Sequence, residues 1–201
     1  MPAARVLVLF AHPAFERSRV HRRLAGAARA LTGVHFHDLY ESYPDFDVDV
    51  RREQQLLLAH DLIVLQHPFY WYSAPPLVKQ WIDLVLEHGW AYGEGGTALR
   101  GKRMLSAISA GGHEESYRSD GSNRFTVNEL LAPIAQTARL CGLEYLPPFV
   151  LYGTHAYGDD DIARAADAYG RVLAALRDGR IDVAAARALP RINADLGTLL
   201  A

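Results

Sequence analysis

Hydrophobic residues recur along this chain in two alternating patterns. Short runs rich in Val, Ile, Leu and Phe are typical of buried strands, and longer stretches with an apolar residue every three or four positions are typical of amphipathic helices. The runs predict five strands, at residues 6–10, 34–38, 62–65, 103–109 and 144–151. The periodic stretches predict helices at residues 18–31, 51–59, 76–87, 127–141 and 160–177, followed by an Ala-rich C-terminal tail over 179–201. Strands that alternate regularly with helices predict a doubly wound α/β fold with a five-stranded parallel sheet.

The bulk composition is that of an ordinary soluble globular protein. The 201 residues are 50% hydrophobic with a formal net charge of −2, so neither a basic surface for nucleic acid nor an acidic solvating tail is expected. We expect a single domain over 1–201, because no linker interrupts the alternation. Cys141 is the only cysteine, which excludes an intrachain disulfide and favours a cytosolic compartment. No signal-peptide pattern and no run of ~20 apolar residues is present.

The loop after the third strand is unusually aromatic. It contains Phe69, Tyr70, Trp71 and Tyr72 in succession, bounded by Pro68 and by the Ser-Ala-Pro-Pro sequence that precedes the next helix. Open α/β sheets bind their ligands at the carboxyl ends of the strands, which is where this loop lies. Aromatic side chains on a polar loop would expose a large apolar patch unless something covers them. The loop therefore indicates a flat, conjugated ligand.

The turn after the first strand indicates an anion site. Dinucleotide-binding domains carry G-x-G-x-x-G at this position, whereas this chain reads AHPAFERS, which disfavours such a fold. Ser18 is a natural N-cap for the helix that follows, and the free N–H groups of a helix N-terminus attract anions. His12, Arg17, Arg19 and His21 lie in the same turn. The alternative is that these residues only cap the helix and carry solvated charge.

The loop after the fourth strand carries paired glycines, Gly111 and Gly112. Glycines at a strand end let the backbone approach a ligand closely and direct N–H groups at it. Three strand ends thus carry an anion-binding turn, an aromatic loop and a glycine loop. We expect this combination to bind a mononucleotide with a flat ring system.

Several motifs together resemble one enzyme family. In chain order they are HPAFERS, QHPFYWYSAPPLVKQWIDLVLEHGWAYG, GGTALRGKRML and SAGG, with YPDF and LPPF as further matches. This set resembles the flavodoxin-like NAD(P)H:quinone oxidoreductase family, and within it the bacterial ancillary flavoproteins of glutathione-gated potassium-efflux systems. The likeness covers nearly all of residues 5–177 and implies a flavodoxin-like three-layer sandwich. It also implies FMN as cofactor in preference to FAD, with NADH or NADPH as electron donor.

The resemblance also implies the roles of individual residues. It places the flavin phosphate at His12 and at the turn formed by Ser18, Arg19, Val20 and His21. It places the isoalloxazine ring against Phe69, Tyr70, Trp71 and Tyr72, and the pyrimidine end of that ring against Ser109, Ala110, Gly111 and Gly112.

Two departures from the family pattern accompany these matches. Tyr117 matches the family's hydride-assisting tyrosine, but Asn123 stands where the family has its partner histidine. This difference argues against a tyrosine–histidine charge relay. His21 likewise stands where an asparagine is common in the phosphate turn. We also expect no metal site, since His35 and His37 share a strand face without a third ligand.

Three functions are compatible with these observations. The first is an FMN-dependent NAD(P)H:quinone oxidoreductase with ping-pong hydride transfer to a quinone. The second is a regulatory flavoprotein subunit at the inner face of the cell membrane, docked on a potassium-efflux transporter. The third is a one-electron carrier, which the mild net charge disfavours. The resemblance also implies a homodimer that closes the cleft, with Phe46 and residues 90–96 as expected contacts.

Overall fold

The fold is built on a parallel sheet, seen in a computed structural model that describes residues 3–199. The strands are β1 (Val6–Phe10), β2 (Val34–Asp38), β3 (Leu62–Pro68), β4 (Arg103–Ser109), β5 (Glu144–Tyr145) and β6 (Phe149–Leu151). Their order is β2-β1-β3-β4-β5, and β6 pairs with β4 beyond β5. All pairings are parallel. This arrangement confirms the predicted α/β flavodoxin-like fold.

Helices connect the strands. Their bounds are α1 (Arg19–Arg29), α2 (Leu39–Ser42), α3 (Val50–Ala59), α4 (Pro76–Val85), α5 (Val127–Leu130), α6 (Ala132–Leu140), α7 (Asp159–Arg177), α8 (Val183–Arg187) and α9 (Leu196–Leu199). Single 3₁₀ turns lie at Phe15–Arg17, Glu114–Ser116 and Thr154–Ala156. The five helices expected from sequence periodicity are present, with shifted ends and one division described below.

The sheet has a hydrophobic core on each face. Successive side chains of β1 point in opposite directions, so Leu7 and Leu9 join the core beneath α3, α4 and α6. Val6 and Val8 join the core beneath α1 and α7. Every residue of β1 and β3 is buried, as expected of parallel strands covered on both faces. This explains why β1 and residues 62–65 of β3 read as continuous apolar runs in the sequence.

Proline divides two of the predicted elements. The strand expected over 144–151 is interrupted at Pro147 and Pro148, because proline has no N–H to contribute to a strand ladder. Leu146 makes the last bond before the break, donating its N–H to the Met104 carbonyl at 2.7 Å. The helix expected over 127–141 is divided at Leu131, and Pro133 lies in the first turn of α6, where a missing N–H is tolerated.

The C-terminal segment completes the edge of the sheet. Asn193 Oδ1 accepts from the Val150 N–H at 3.0 Å, and Asn193 Nδ2 donates to the Val150 carbonyl at 2.8 Å. One side chain thus pairs both backbone groups on the open side of β6. Ile192 and Leu199 are buried against the same core as α7. The stretch predicted as an Ala-rich tail therefore contributes to the core as far as residue 199. Within residues 3–199 no helix is long and apolar enough to cross a membrane.

Candidate functional site

One cleft opens where β1, β3, β4 and β6 end. Its lining residues come from the four loops that follow these strands: His12, Ala14, Arg17, Ser18, Arg19, Val20, Pro68, Phe69, Tyr70, Trp71, Ser109, Gly111, Thr154 and His155. Nine of the fourteen predicted site residues are among them: His12, Ser18, Arg19, Val20, Phe69, Tyr70, Trp71, Ser109 and Gly111. The topology brings them together because parallel strands present all their carboxyl ends at one edge of the sheet.

The first end of the cleft is rich in hydrogen-bond donors. Ser18 is the N-cap of α1, and its Oγ accepts from the His21 N–H at 3.1 Å. The preceding amides of the first turn, Arg19 and Val20, have no intrahelical acceptor and lie at the cleft. Both Arg17 and Arg19 line the cleft. The Arg19 guanidinium forms an ion pair with Asp159 at 2.9 Å, whereas Arg17 forms none within residues 3–199. These donors suit an anion.

His12 contributes a further donor at the same end. Its Nδ1 accepts from the Ala14 N–H at 3.1 Å, so the neutral ring carries its proton on Nε2. Burial lowers the pKa of His12 below its usual value, which favours this neutral form. The ring of Tyr70 meets that of His12 edge-on at 6.0 Å between centroids. His12 therefore joins the anion-binding turn to the aromatic loop.

The aromatic loop is held in an uncommon backbone conformation. Trp71 has φ 49° and Tyr72 has φ 62°, in the left-handed region that non-glycine residues seldom occupy. The side chain of Trp71 is 92% exposed, whereas Phe69 is buried. The Phe69 N–H donates to the Ser109 carbonyl at 2.8 Å, which ties this loop to the end of β4. A strained backbone that presents an exposed indole is typical of a binding site.

The glycine loop leans against the loop after β6. A Cβ on Gly111 would lie 2.2 Å from His155 Nε2, so any larger residue here would force the His155 side chain to move. The Thr154 N–H and Oγ1 both donate to the Ala110 carbonyl at 3.1 Å. Sequence reasoning missed Thr154 and His155, although they follow the fifth predicted strand. The rule that ligands bind at strand ends, applied to that strand too, would have found them.

Five predicted residues do not line the cleft. Ala110 is fully buried, and its N–H donates to the Leu151 carbonyl at 2.7 Å. Gly112 packs beneath the ring of Tyr117. The Tyr72 hydroxyl donates to Asn123 Oδ1 at 3.3 Å. The side chain of His21 is turned inward and buried, with Nε2 2.8 Å from Ser109 Oγ.

Tyr117 lies beside the cleft behind Phe69. Its ring centroid is 6.0 Å from that of Phe69 and 5.5 Å from that of Tyr152. Desolvation raises the pKa of the Tyr117 hydroxyl above its usual value, so this group remains a donor at neutral pH. The amide of Asn123 bonds to Tyr72 and not to Tyr117.

The two histidines of β2 are arranged differently from a metal site. His37 is buried, with Nε2 2.8 Å from Glu53 Oε1, while His35 is exposed. Glu53 also accepts from the Tyr43 hydroxyl and from Trp81 Nε1, at 2.5 and 2.8 Å. Across residues 3–199 no group of three or more His, Cys, Asp or Glu is placed to hold a metal ion.

Residues 4–174 of this sequence match the model of a protein family described as having a flavodoxin-like fold. The chain belongs to this family. Among curated relatives, "Uncharacterized NAD(P)H oxidoreductase YdeQ" of Bacillus subtilis is 46% identical over 84% of this chain and 86% of its own length. "Glutathione-regulated potassium-efflux system ancillary protein KefG" of Pectobacterium atrosepticum is 44% identical over 84% of this chain and 92% of its own length.

Solved structures with a similar fold include proteins that are also similar in sequence. General stress protein 14 of Treponema denticola, in complex with FMN, has a TM-score of 0.82 and 40% identity, covering 86% of this chain and 99% of that one. An NADPH-quinone reductase from P. pentosaceus has a TM-score of 0.76 and 32% identity, covering 84% and 96%. The family match ends at residue 174. The segment that completes the sheet edge through Asn193 therefore lies outside it.

Proposed function

We propose that this chain is an FMN-dependent NAD(P)H:quinone oxidoreductase. The observation that carries the proposal is the composition of the cleft, with anion donors at one end and aromatic and glycine loops at the other. A relative bound to FMN and another named as an NADPH-quinone reductase support the cofactor and the substrate class. Such enzymes pass a hydride from a nicotinamide to the flavin and then to a quinone, so the cofactor supplies the redox chemistry.

The residues at the helix end fit the phosphate of FMN. The amides of Arg19 and Val20, the Ser18 hydroxyl and the Arg17 guanidinium offer four donors from one turn. A phosphate monoester carries about −1.5 to −2 charges at pH 7 and prefers the positive end of a helix dipole. Ser18 can donate its proton to the phosphate while its oxygen still accepts from the His21 N–H.

The two loops at the other end fit a flat ring. In this proposal the backbone of residues 69–72 borders the ring, and Ser109 and Gly111 face its polar edge. Tyr117 holds a proton close to the aromatic loop, and its hydroxyl donates to the quinone oxygen that gains negative charge. Donors of this kind typically contribute about 10²-fold or more to a rate. Asn123 positions Tyr72 and leaves Tyr117 without a histidine partner.

We also propose that a homodimer closes the cleft. Trp71 is 92% exposed at the cleft mouth and is held there by a strained backbone. An exposed indole of this size gains most from being covered by another protein surface. The contacts we propose across the interface are Phe46 and residues 90–96. Phe46 also has a left-handed backbone, with φ 63°.

A second candidate function is that of an ancillary subunit of a potassium-efflux transporter, acting at the inner face of the cell membrane. The KefG relative, 44% identical over 84% of this chain, favours it. The two functions are compatible in one protein. Steady-state oxidation of NADH or NADPH separates them: the enzyme proposal predicts oxidation that depends on added quinone. Flavin-loaded protein that reduces no quinone with either nicotinamide would leave the subunit function as the better account.

A further inference from the structure

A chain of four hydrogen-bonded polar side chains, three of them buried, runs from the core to the cleft. The Tyr169 hydroxyl, on α7, lies 2.9 Å from Gln66 Oε1 at the end of β3. Gln66 Nε2 lies 3.3 Å from His21 Nδ1, and His21 Nε2 lies 2.8 Å from Ser109 Oγ. Tyr169, Gln66 and His21 are at most 1% exposed. Ser109 is the member that lines the cleft.

The protons of this hydrogen-bond chain can be arranged in two directions, with each member donating either towards the cleft or towards the core. In the outward direction, Tyr169 donates to Gln66, the Gln66 amide donates to His21 Nδ1, and His21 donates from Nε2 to Ser109. The Ser109 O–H then points into the cleft as a donor. In the inward direction the Gln66 amide is turned over: Ser109 donates to His21 Nε2, His21 donates from Nδ1 to Gln66 Oε1, and Gln66 Nε2 donates to the Tyr169 oxygen. The cleft is then offered only the lone pairs of Ser109.

The buried end of the chain decides between the two directions. The Tyr169 hydroxyl contacts no acceptor other than Gln66 within residues 3–199. In the inward direction its proton would have no acceptor, and an unpaired buried donor costs about 1–3 kcal/mol. In the outward direction the protons of Tyr169, Gln66 and His21 that lie between successive members are each accepted by the next member, and the Ser109 proton is left for a ligand to accept. The second Gln66 amide proton lies outside these bonds in either direction, so it does not distinguish them.

The charge state of His21 agrees with the outward direction. Burial, together with nearby His12 and His67, holds the pKa of His21 well below its usual value. The ring is therefore neutral at physiological pH and carries one proton, which the chain assigns to Nε2. A neutral ring can accept at Nδ1 and donate at Nε2 at the same time.

We propose that Tyr169, Gln66 and His21 are positioning residues that fix the Ser109 hydroxyl as a hydrogen-bond donor to the cleft ligand. Ser109 then selects ligands that present an acceptor at this point, such as a carbonyl oxygen or an unprotonated ring nitrogen. The identity of that ligand as FMN rests on the function proposed above. The polarity of the hydrogen-bond chain is independent of that function, because it follows from side chains of the protein alone.

The polarity can be measured in ligand-free protein. A long-range ¹H–¹⁵N correlation spectrum distinguishes protonated from unprotonated imidazole nitrogens, and the His21 ring is assigned by its absence from His21→Gln. We expect His21 to be protonated at Nε2 and unprotonated at Nδ1. Protonation at Nδ1 would overturn the proposal. A failure to bind flavin would contradict the proposed function but would leave this result standing.

The effect on the ligand is tested by a double-mutant cycle with FMN. Ser109→Ala removes the donor and should weaken FMN binding about tenfold. Tyr169→Phe removes the group that sets the polarity and should weaken binding about threefold, although it lies outside the cleft. The double variant should bind as Ser109→Ala does, because Tyr169 acts only through Ser109. Fully additive losses would overturn the proposal.

A matched control separates polarity from general loosening of the core. The Tyr145 hydroxyl is bonded to Ser106 Oγ at 2.8 Å, on the same strand as Ser109 but away from the cleft. Tyr145→Phe removes a comparable bond and should leave FMN affinity unchanged. If Tyr145→Phe weakens FMN as much as Tyr169→Phe does, the positioning role is refuted. If Tyr169→Phe does not fold, the wild-type tautomer measurement still decides.

Discussion

Ser18→Asp tests whether the N-terminus of α1 binds a phosphate. Asp, Asn and Ser are comparable N-caps, so the bond from the His21 N–H to position 18 can be kept in each variant. Asp adds a negative charge, while Asn is of similar size and neutral. Ser18→Asn is therefore the matched control for Ser18→Asp, and the two variants differ mainly in charge.

The size of the effect follows from the geometry of the turn. A phosphate bound by the first amides of α1 would lie about 4 Å from a carboxylate at position 18. Two unit charges at ~4 Å repel by ~1 kcal/mol in water and by ~4 kcal/mol at an effective dielectric constant of ~20. The cleft is open to solvent, so we expect a value near the lower end, at least ~1.4 kcal/mol. This corresponds to a loss of FMN affinity of about tenfold or more.

The assay compares FMN with riboflavin, which lacks the phosphate, by fluorescence quenching. Ser18→Asp should weaken FMN about tenfold relative to Ser18→Asn and leave riboflavin affinity unchanged. The free energy of unfolding should differ by less than about 0.5 kcal/mol between the variants, since Asp and Asn are comparable N-caps. Equal losses for FMN and riboflavin, or no loss for either, would show that the phosphate lies elsewhere.

Three further predictions concern the quinone donor, the dimer and the sheet edge. Tyr117→Phe should slow reoxidation of the reduced protein by quinone about ten- to a hundredfold in stopped-flow measurements, with FMN affinity unchanged because the ring packing is retained; an unchanged rate would eliminate Tyr117 as the donor. Trp71→Ser should lower the molar mass measured by light scattering towards that of a monomer. Leu140→Ser, which alters another exposed apolar residue (57%), should leave the molar mass unchanged. A wild-type protein that is monomeric at micromolar concentration and fully active would contradict the proposed dimer. Asn193→Ala should lower the free energy of unfolding by about 2–3 kcal/mol, because both backbone groups of Val150 lose their partner; urea titration measures the loss, and a change under 0.5 kcal/mol would mean that water replaces the side chain.

The sequence predicted the fold where one physical effect dominated. A β-branched apolar run as short as 6–10 favours a buried strand of a parallel sheet over a helix, and the alternation of such runs with helices leaves few topologies. The fifth strand was predicted with the wrong continuity. Pro147 and Pro148 were visible, but the apolar character of the surrounding residues outweighed them in the prediction. Proline in the middle of a predicted strand indicates a break in that strand more strongly than the surrounding hydrophobic residues indicate its continuity.

The cleft was predictable to the extent that backbone position determines it. Residues such as Ser18 and Gly111 lie at strand ends whichever way their side chains turn. The inward orientation of His21 depends on helix phase, since it shares the buried face of α1 with Leu24 and Ala28. The helix phase could be read from the spacing of the apolar residues in α1, but the resemblance to a phosphate turn predicted a ligand-facing polar role for His21 instead. The partner of His21 on β4 could not be predicted, because strand order is not encoded in periodicity.

The most direct test of the account is an absorbance spectrum of the purified protein, with the bound chromophore released and identified by mass. We predict a yellow protein with the visible absorption bands of oxidised flavin and FMN as the released cofactor. Protein purified without cofactor should quench the fluorescence of added FMN. A colourless protein that quenches the fluorescence of neither FMN nor FAD would contradict the account.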